Sequence, residues 1–220
     1  MSRYQKEAFT TADGGYTLHF AVDYPEDFSP DKSYPVLFYF HGMGGVGQGV
    51  DYMAERCPVQ RHLIPTDLPD GPAPIIIIPS CDDYMWFENF ANVVAFIKSI
   101  IARDYVDPAR IYISGSSMGG YTCWMLSILH PELFAAAAIC CGGGPYWAAP
   151  RITFPVRAYH GKLDQTVYPR ESETMVDWIN RSGGKAELFL YDGVNHDVWN
   201  HAYTNPDTYY WLFSQRRSDK

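Results

Sequence analysis

Gly115-Ser116-Ser117-Met118-Gly119 stands where one periodicity gives way to another. Before it, Arg110-Ile111-Tyr112-Ile113 is a β-branched and aromatic run that reads as a strand, and after it residues 121–129 carry the apolar spacing of a helix. A serine framed by glycines on a strand-to-helix turn reads as a nucleophile elbow. The small residues at 115 and 119 admit a tight turn and a strained serine that lifts its hydroxyl clear of a sheet. The same frame selects Ser117 over its neighbours Ser114 and Ser116.

Outward from the elbow, strand-like and helix-like runs alternate along the whole chain, which argues for an α/β sheet. Residues 17–24 alternate and predict an early antiparallel strand, followed by a turn over 25–33. Residues 36–40 and 75–78 are continuously apolar, as strands buried on both faces are. A helix is expected over 90–101, further strands over 134–140, 155–160 and 187–191, a helix over 171–181, and a closing helix over 203–216. The expected architecture is one domain, 1–220, with a mostly parallel sheet, helices on both faces and no large cap.

Composition narrows the function. The 220 residues are 47% hydrophobic and 16% aromatic, enough for one sizeable core. A formal net charge of −8 disfavours nucleic acid and anionic membrane as partners. No window approaches the ~20 apolar residues of a membrane span. The first residues lack an apolar leader segment, and five cysteines, Cys57, Cys81, Cys123, Cys140 and Cys141, form no CxxC pair. A cytoplasmic, reducing location is therefore expected.

A serine hydroxyl needs a base to take its proton and a third group to hold that base. His196, in the loop after the strand at 187–191, is the expected base. Asp164, after the strand at 155–160, is the expected orienting carboxylate, with Asp192 and Asp197 as rivals. His41 and His160 each precede a glycine at a strand end and are expected to order neighbouring loops. An oxyanion needs two backbone donors. Met118 N–H follows from the elbow, and Met43 N–H from the turn His41-Gly42-Met43-Gly44-Gly45, which could otherwise be a plain glycine-rich loop. That loop lacks the Gly-Lys-Ser/Thr ending of a phosphate cradle and the GxGxxG spacing of a dinucleotide site. No HExxH is present, and Asp82-Asp83 has no histidine at ligand spacing, so neither metal nor cofactor is expected. Tyr84, Trp86, Phe87, Tyr146, Trp147 and Trp199 fall in loops at the same edge. Trp86, Trp147 and Trp199 are candidates to stack on a sugar or phenolic group, with rim packing as the alternative.

The order HGMGG, GSSMGG, HGKLDQTV and GVNHDVW resembles the α/β-hydrolase superfamily across nearly the whole chain. Val106-Asp107-Pro108-Ala109-Arg110-Ile111-Tyr112 before the elbow and the ending His196-Asp197-Val198-Trp199 are similar to compact feruloyl and acetyl-xylan esterases, and to peptidases of the prolyl oligopeptidase type. The resemblance implies an α/β-hydrolase fold and a triad of Ser117, Asp164 and His196. Serine at the elbow separates the chain from dienelactone hydrolases, which carry cysteine there, and from dehalogenases, which carry aspartate. The implied activity is hydrolysis of a small carboxylic ester, with an acylated oligosaccharide among the candidates. Peptide or thioester hydrolysis and a non-catalytic binding role are the alternatives.

Overall fold

Strands with no polar alternation must be covered on both faces, and they build the centre of an eight-stranded sheet. The computed structural model describes residues 4–68, 71–82 and 85–217. Its strands are β1 (Gln5–Thr10), β2 (Thr17–Asp23), β3 (Tyr34–Phe40), β4 (Ile75–Pro79), β5 (Val106–Ser116), β6 (Ala136–Cys140), β7 (Val156–Gly161) and β8 (Ala186–Tyr191). They lie in the order β1-β2-β4-β3-β5-β6-β7-β8. β1 pairs antiparallel with β2, and β2 antiparallel with β4. Every later pairing is parallel. All residues of β3, β4 and β6 are buried, whereas β8, on the edge, is only half covered.

The pleat of the strands divides the core in two. Phe38, Phe40, Ile111, Ile113 and Ile139 face helices α2 (Phe90–Ile101), α3 (Met118–Leu129) and α4 (Arg170–Arg181). Leu37, Tyr39, Tyr112, Ala138 and Cys140 face the other layer, where α1 (Gly49–Arg56) and α6 (Pro206–Phe213) pack. In α2 the buried Val93, Phe96, Ile97 and Ile100 recur at helical spacing, and the helix occupies the residues its periodicity predicted.

Two elements depart from expectation. The closing helix expected over 203–216 is shorter, α6 (Pro206–Phe213), and is preceded by a short α5 (Trp199–Ala202) from which Asn205-Pro206 separates it. Pro206 has no N–H to donate, and the Asn205 side chain accepts from Asp207 N at 3.1 Å, so a new helix starts there. α1 was not read from the sequence because it buries only Met53 and so has almost no apolar stripe. Tyr84 and Asp83 lie outside the described residues. Among the described residues no helix is long and apolar enough to cross a membrane.

Because β3 and β5 to β8 run parallel, their carboxyl ends share one edge. The residues that follow them are His41 to Met43, Ser117, Cys141, Asp164 and His196, and open α/β sheets bind ligands at this edge.

Candidate active site

Ser117 links β5 to α3 with φ 55° and ψ −119°, a conformation that L residues rarely adopt. Its N–H donates to Cys140 O at 3.1 Å and its carbonyl accepts from Tyr121 N at 2.9 Å, so both sides of the turn are held. Glycine is required on either side. A Cβ at Gly115 would lie 2.6 Å from Gly119 O and 2.8 Å from Phe40 O, and one at Gly119 would collide with the Phe40 carbonyl. The neighbouring hydroxyls are used inside the core: Ser116 Oγ meets Tyr39 Oη at 2.9 Å and Ser114 Oγ meets Tyr203 Oη at 2.6 Å. Ser117 alone of the three reaches the surface, half-buried.

His196 and Asp164 meet across the ends of β8 and β7. His196 Nδ1 lies 2.7 Å from Asp164 Oδ2. An ionised carboxylate only accepts, so Nδ1 carries the proton and Nε2 is left as the basic nitrogen. Asp164 is buried, and its Oδ1 accepts from Thr166 N at 2.9 Å and Val167 N at 3.0 Å. His160 braces this loop from below: Nε2 donates to Val167 O at 2.9 Å and lies 3.3 Å from Asp164 Oδ2, while Nδ1 is 2.8 Å from Ser172 Oγ. The rival acids are engaged elsewhere, Asp192 with Lys162 at 2.8 Å and Asp197 with Asn200 Nδ2 at 3.4 Å.

Met118 opens α3 and Met43 opens a single 3₁₀ turn, Met43–Gly45, so each presents an N–H that its own helix leaves unpartnered. The Met43 turn lies against Ser117, since a Cβ at Gly42 would sit 3.2 Å from Ser117 Cβ. His41 fixes that turn, with Nδ1 donating to Gly42 O at 2.7 Å and Nε2 accepting from Cys81 N at 3.0 Å. Burial lowers the pKa of both His41 and His160, which keeps these rings neutral.

The aromatic candidates separate. Trp86 is 1% exposed, donates Nε1–H to His41 O at 3.0 Å and packs edge-on against Phe40. It supports the His41 loop from inside and offers no face to a substrate, because an indole that buries both its ring and its N–H has nothing left to present. Trp199 stands edge-on to His196 with ring centroids 5.6 Å apart, and Trp147 is 68% exposed.

A model of the prolyl oligopeptidase family matches residues 87–143, the stretch that carries α2, β5, the elbow and β6. The crystal structure of a thermostable esterase superposes with a TM-score of 0.85 at 27% identity, over 98% of this chain and 64% of that one. The chain has the α/β-hydrolase fold. Among curated relatives, dipeptidyl-peptidase 5 of Porphyromonas gingivalis is 24% identical, over 88% of this chain and 35% of its own length. Feruloyl esterase B of Piromyces equi is 28% identical, over 66% of this chain and 29% of its own length. This chain therefore spans about a third of each. Similarity to both esterases and peptidases agrees with the motifs.

Within this α/β-hydrolase fold, Cys141 is a site neighbour that sequence reasoning passed over. Among the described residues it is the second non-glycine of positive φ, at 40°, and it is fully buried. Its Sγ, an Asp164 carboxylate oxygen and a His196 ring nitrogen lie within 4.8 Å of one another. Burial raises the thiol pKa and keeps it protonated, and the Asp164 oxygens already accept three N–H donors.

Proposed function

We propose that the chain is a serine hydrolase that cleaves carboxylic esters through an acyl-Ser117 intermediate. The observation that carries this reading is the strained elbow at Ser117 on the same sheet edge as a His196–Asp164 pair joined at 2.7 Å. His196 Nε2 takes the Ser117 proton as Oγ attacks the ester carbonyl. The oxyanion rests on the Met43 and Met118 amides, each such donor being worth about 2.7–4 kcal/mol in the transition state. His196 passes the proton to the departing alcohol. Water then attacks the acyl-enzyme, again giving its proton to His196, and releases the acid. Asp164 holds the tautomer and stabilises the imidazolium.

Esters are favoured by relatives named carboxylesterase and feruloyl esterase. The prolyl oligopeptidase match and the dipeptidyl-peptidase relative favour amides as the second reading. The decisive experiment compares wild type with Ser117→Ala on p-nitrophenyl acetate, methyl ferulate and a peptide amide, alongside fluorophosphonate labelling. Labelling and ester turnover should both depend on Ser117, with kcat falling on the order of 10⁶-fold in the variant. Turnover of the amide in preference to both esters selects the peptidase reading, and a folded wild type that neither labels nor turns over any substrate refutes the proposal.

A further inference from the structure

Cys141 leaves β6 at φ 40°, a left-handed conformation that glycine takes freely and an L side chain takes only under strain. The backbone around it has no slack. Cys141 N donates to Tyr159 O at 2.9 Å, and Ser172 Oγ donates to Gly142 O at 2.9 Å. A Cβ at Gly142 would lie 2.6 Å from Gly120 C and 2.8 Å from Tyr121 N, and one at Gly120 would lie 2.5 Å from Cys140 O. The loop is thus pinned to β7, α3 and α4, which fixes where the Cys141 side chain points. Glycine at 141 would remove the strain, so what the position retains in spite of it is a side chain.

That side chain lies against all three members of the candidate site. Ser117 N–H, which donates to Cys140 O at 3.1 Å, also approaches the Cys141 sulfur. The sulfur, an Asp164 carboxylate oxygen and a His196 ring nitrogen lie within 4.8 Å of one another. Thr166 N, Val167 N, His160 and His196 take the other sides of the carboxylate. Cys141 is fully buried, so its sulfur occupies ground from which a water or a hydroxyl could otherwise donate to Asp164. The difference matters to His196. Each strong donor to a carboxylate takes up charge that would otherwise stabilise the imidazolium, whereas a thiol is a weak donor that fills space and takes up little.

We propose that Cys141 is a positioning residue for His196: its sulfur closes the inner side of the Asp164–His196 pair to stronger donors and leaves the carboxylate's charge to the imidazolium. The consequence for turnover rests on the serine-hydrolase reading above, but the effect on the pair does not. The other titratable groups around the pair are His160 from β7, Asp197 beside His196, and the Tyr121 hydroxyl from α3, on which the charges of Glu171 and Asp164 act. All of them are kept in the variants below, so a shift reports position 141.

Cys141→Ser places a hydroxyl where the thiol was, and Cys141→Gly opens room for a water while taking φ 40° without strain. In both, the imidazolium loses support, so the acid limb of kcat/KM on p-nitrophenyl acetate should move to lower pH. With KM little changed, kcat should fall about tenfold, the worth of one hydrogen bond to a charged group. Cys141→Gly decides alone where Cys141→Ser does not fold. Limbs that superpose on wild type, or that move to higher pH, overturn the proposal, since a side chain that merely fills space changes the urea midpoint and not the pH profile. In a chain without ester turnover the same comparison is made by NMR, on the His196 ring signal identified by its loss in His196→Gln. A ring titration displaced to lower pH in the Cys141 variants then upholds the positioning role and discards the ester chemistry, and an undisplaced one overturns the role.

Discussion

A buried imidazole stays neutral where loss of solvation outweighs the pull of a nearby carboxylate, and two such rings shape the candidate site. His41 has one ring nitrogen donating to Gly42 O and the other accepting from Cys81 N, so a second proton would break the bond that ties the Met43 turn to the strand end beyond β4. Burial sets its pKa below the ordinary value. With the folded pKa depressed, the unfolded chain binds the proton more readily, so stability is present above about pH 6.5 and declines as pH falls toward the folded pKa. The slope from this ring is at most about 1.4 kcal/mol per pH unit. Urea unfolding at pH 7.5 and pH 5.5 should show a smaller acid-induced loss in His41→Gln than in wild type, and equal losses would show that the ring does not titrate between the states. At this scale the sequence was informative wherever a residue's role is local. Ser117 is legible from its glycine frame, and His41 and His160 from their place before strand-end glycines. Trp86 was misread because an indole in a loop looks the same in sequence whether its ring turns out or, as here, in beneath His41.

At the scale of elements, the elbow works because α3 lies directly on β3. Gly119 leaves no volume for a methyl group against the Phe40 carbonyl, whereas a Cβ at Gly44 meets nothing within 4 Å. Gly119→Ala should therefore cost about 1–3 kcal/mol or more by overpacking and suppress Ser117 labelling. Gly44→Ala, in the neighbouring exposed turn, should stay within about 1 kcal/mol of wild type. Urea midpoints of the two variants check this, and similar values would show that α3 shifts freely from β3. Elements with a strong apolar period were legible, α2 to the residue and β3 and β4 nearly so. α1 was not, because a helix that buries one side chain leaves no stripe to read. The break at Asn205-Pro206 was signalled by a cap followed by proline, a pair that outweighs the apolar spacing around it.

Across the whole molecule, all five cysteines are buried, on both faces of the sheet and at its ends. Burial raises the thiol pKa of Cys57, Cys123, Cys140 and Cys141, that of Cys140 to about 12. Ellman's reagent should find essentially no reactive thiol in the native protein and all five after denaturation without reductant. A full equivalent reacting promptly in the native state would mean that one of these sites opens. Local pattern by itself determined the α/β class, the elbow and its serine, because strand period, helix period and turn chemistry are properties of neighbouring residues. Only the tertiary structure decided which carboxylate meets His196, that Cys141 lies against that pair, and that Tyr146 and Trp147 share a cavity with the far face of α4. Those pairings join residues from separate strands and helices, and parallel strand order, not sequence spacing, sets which loop ends become neighbours.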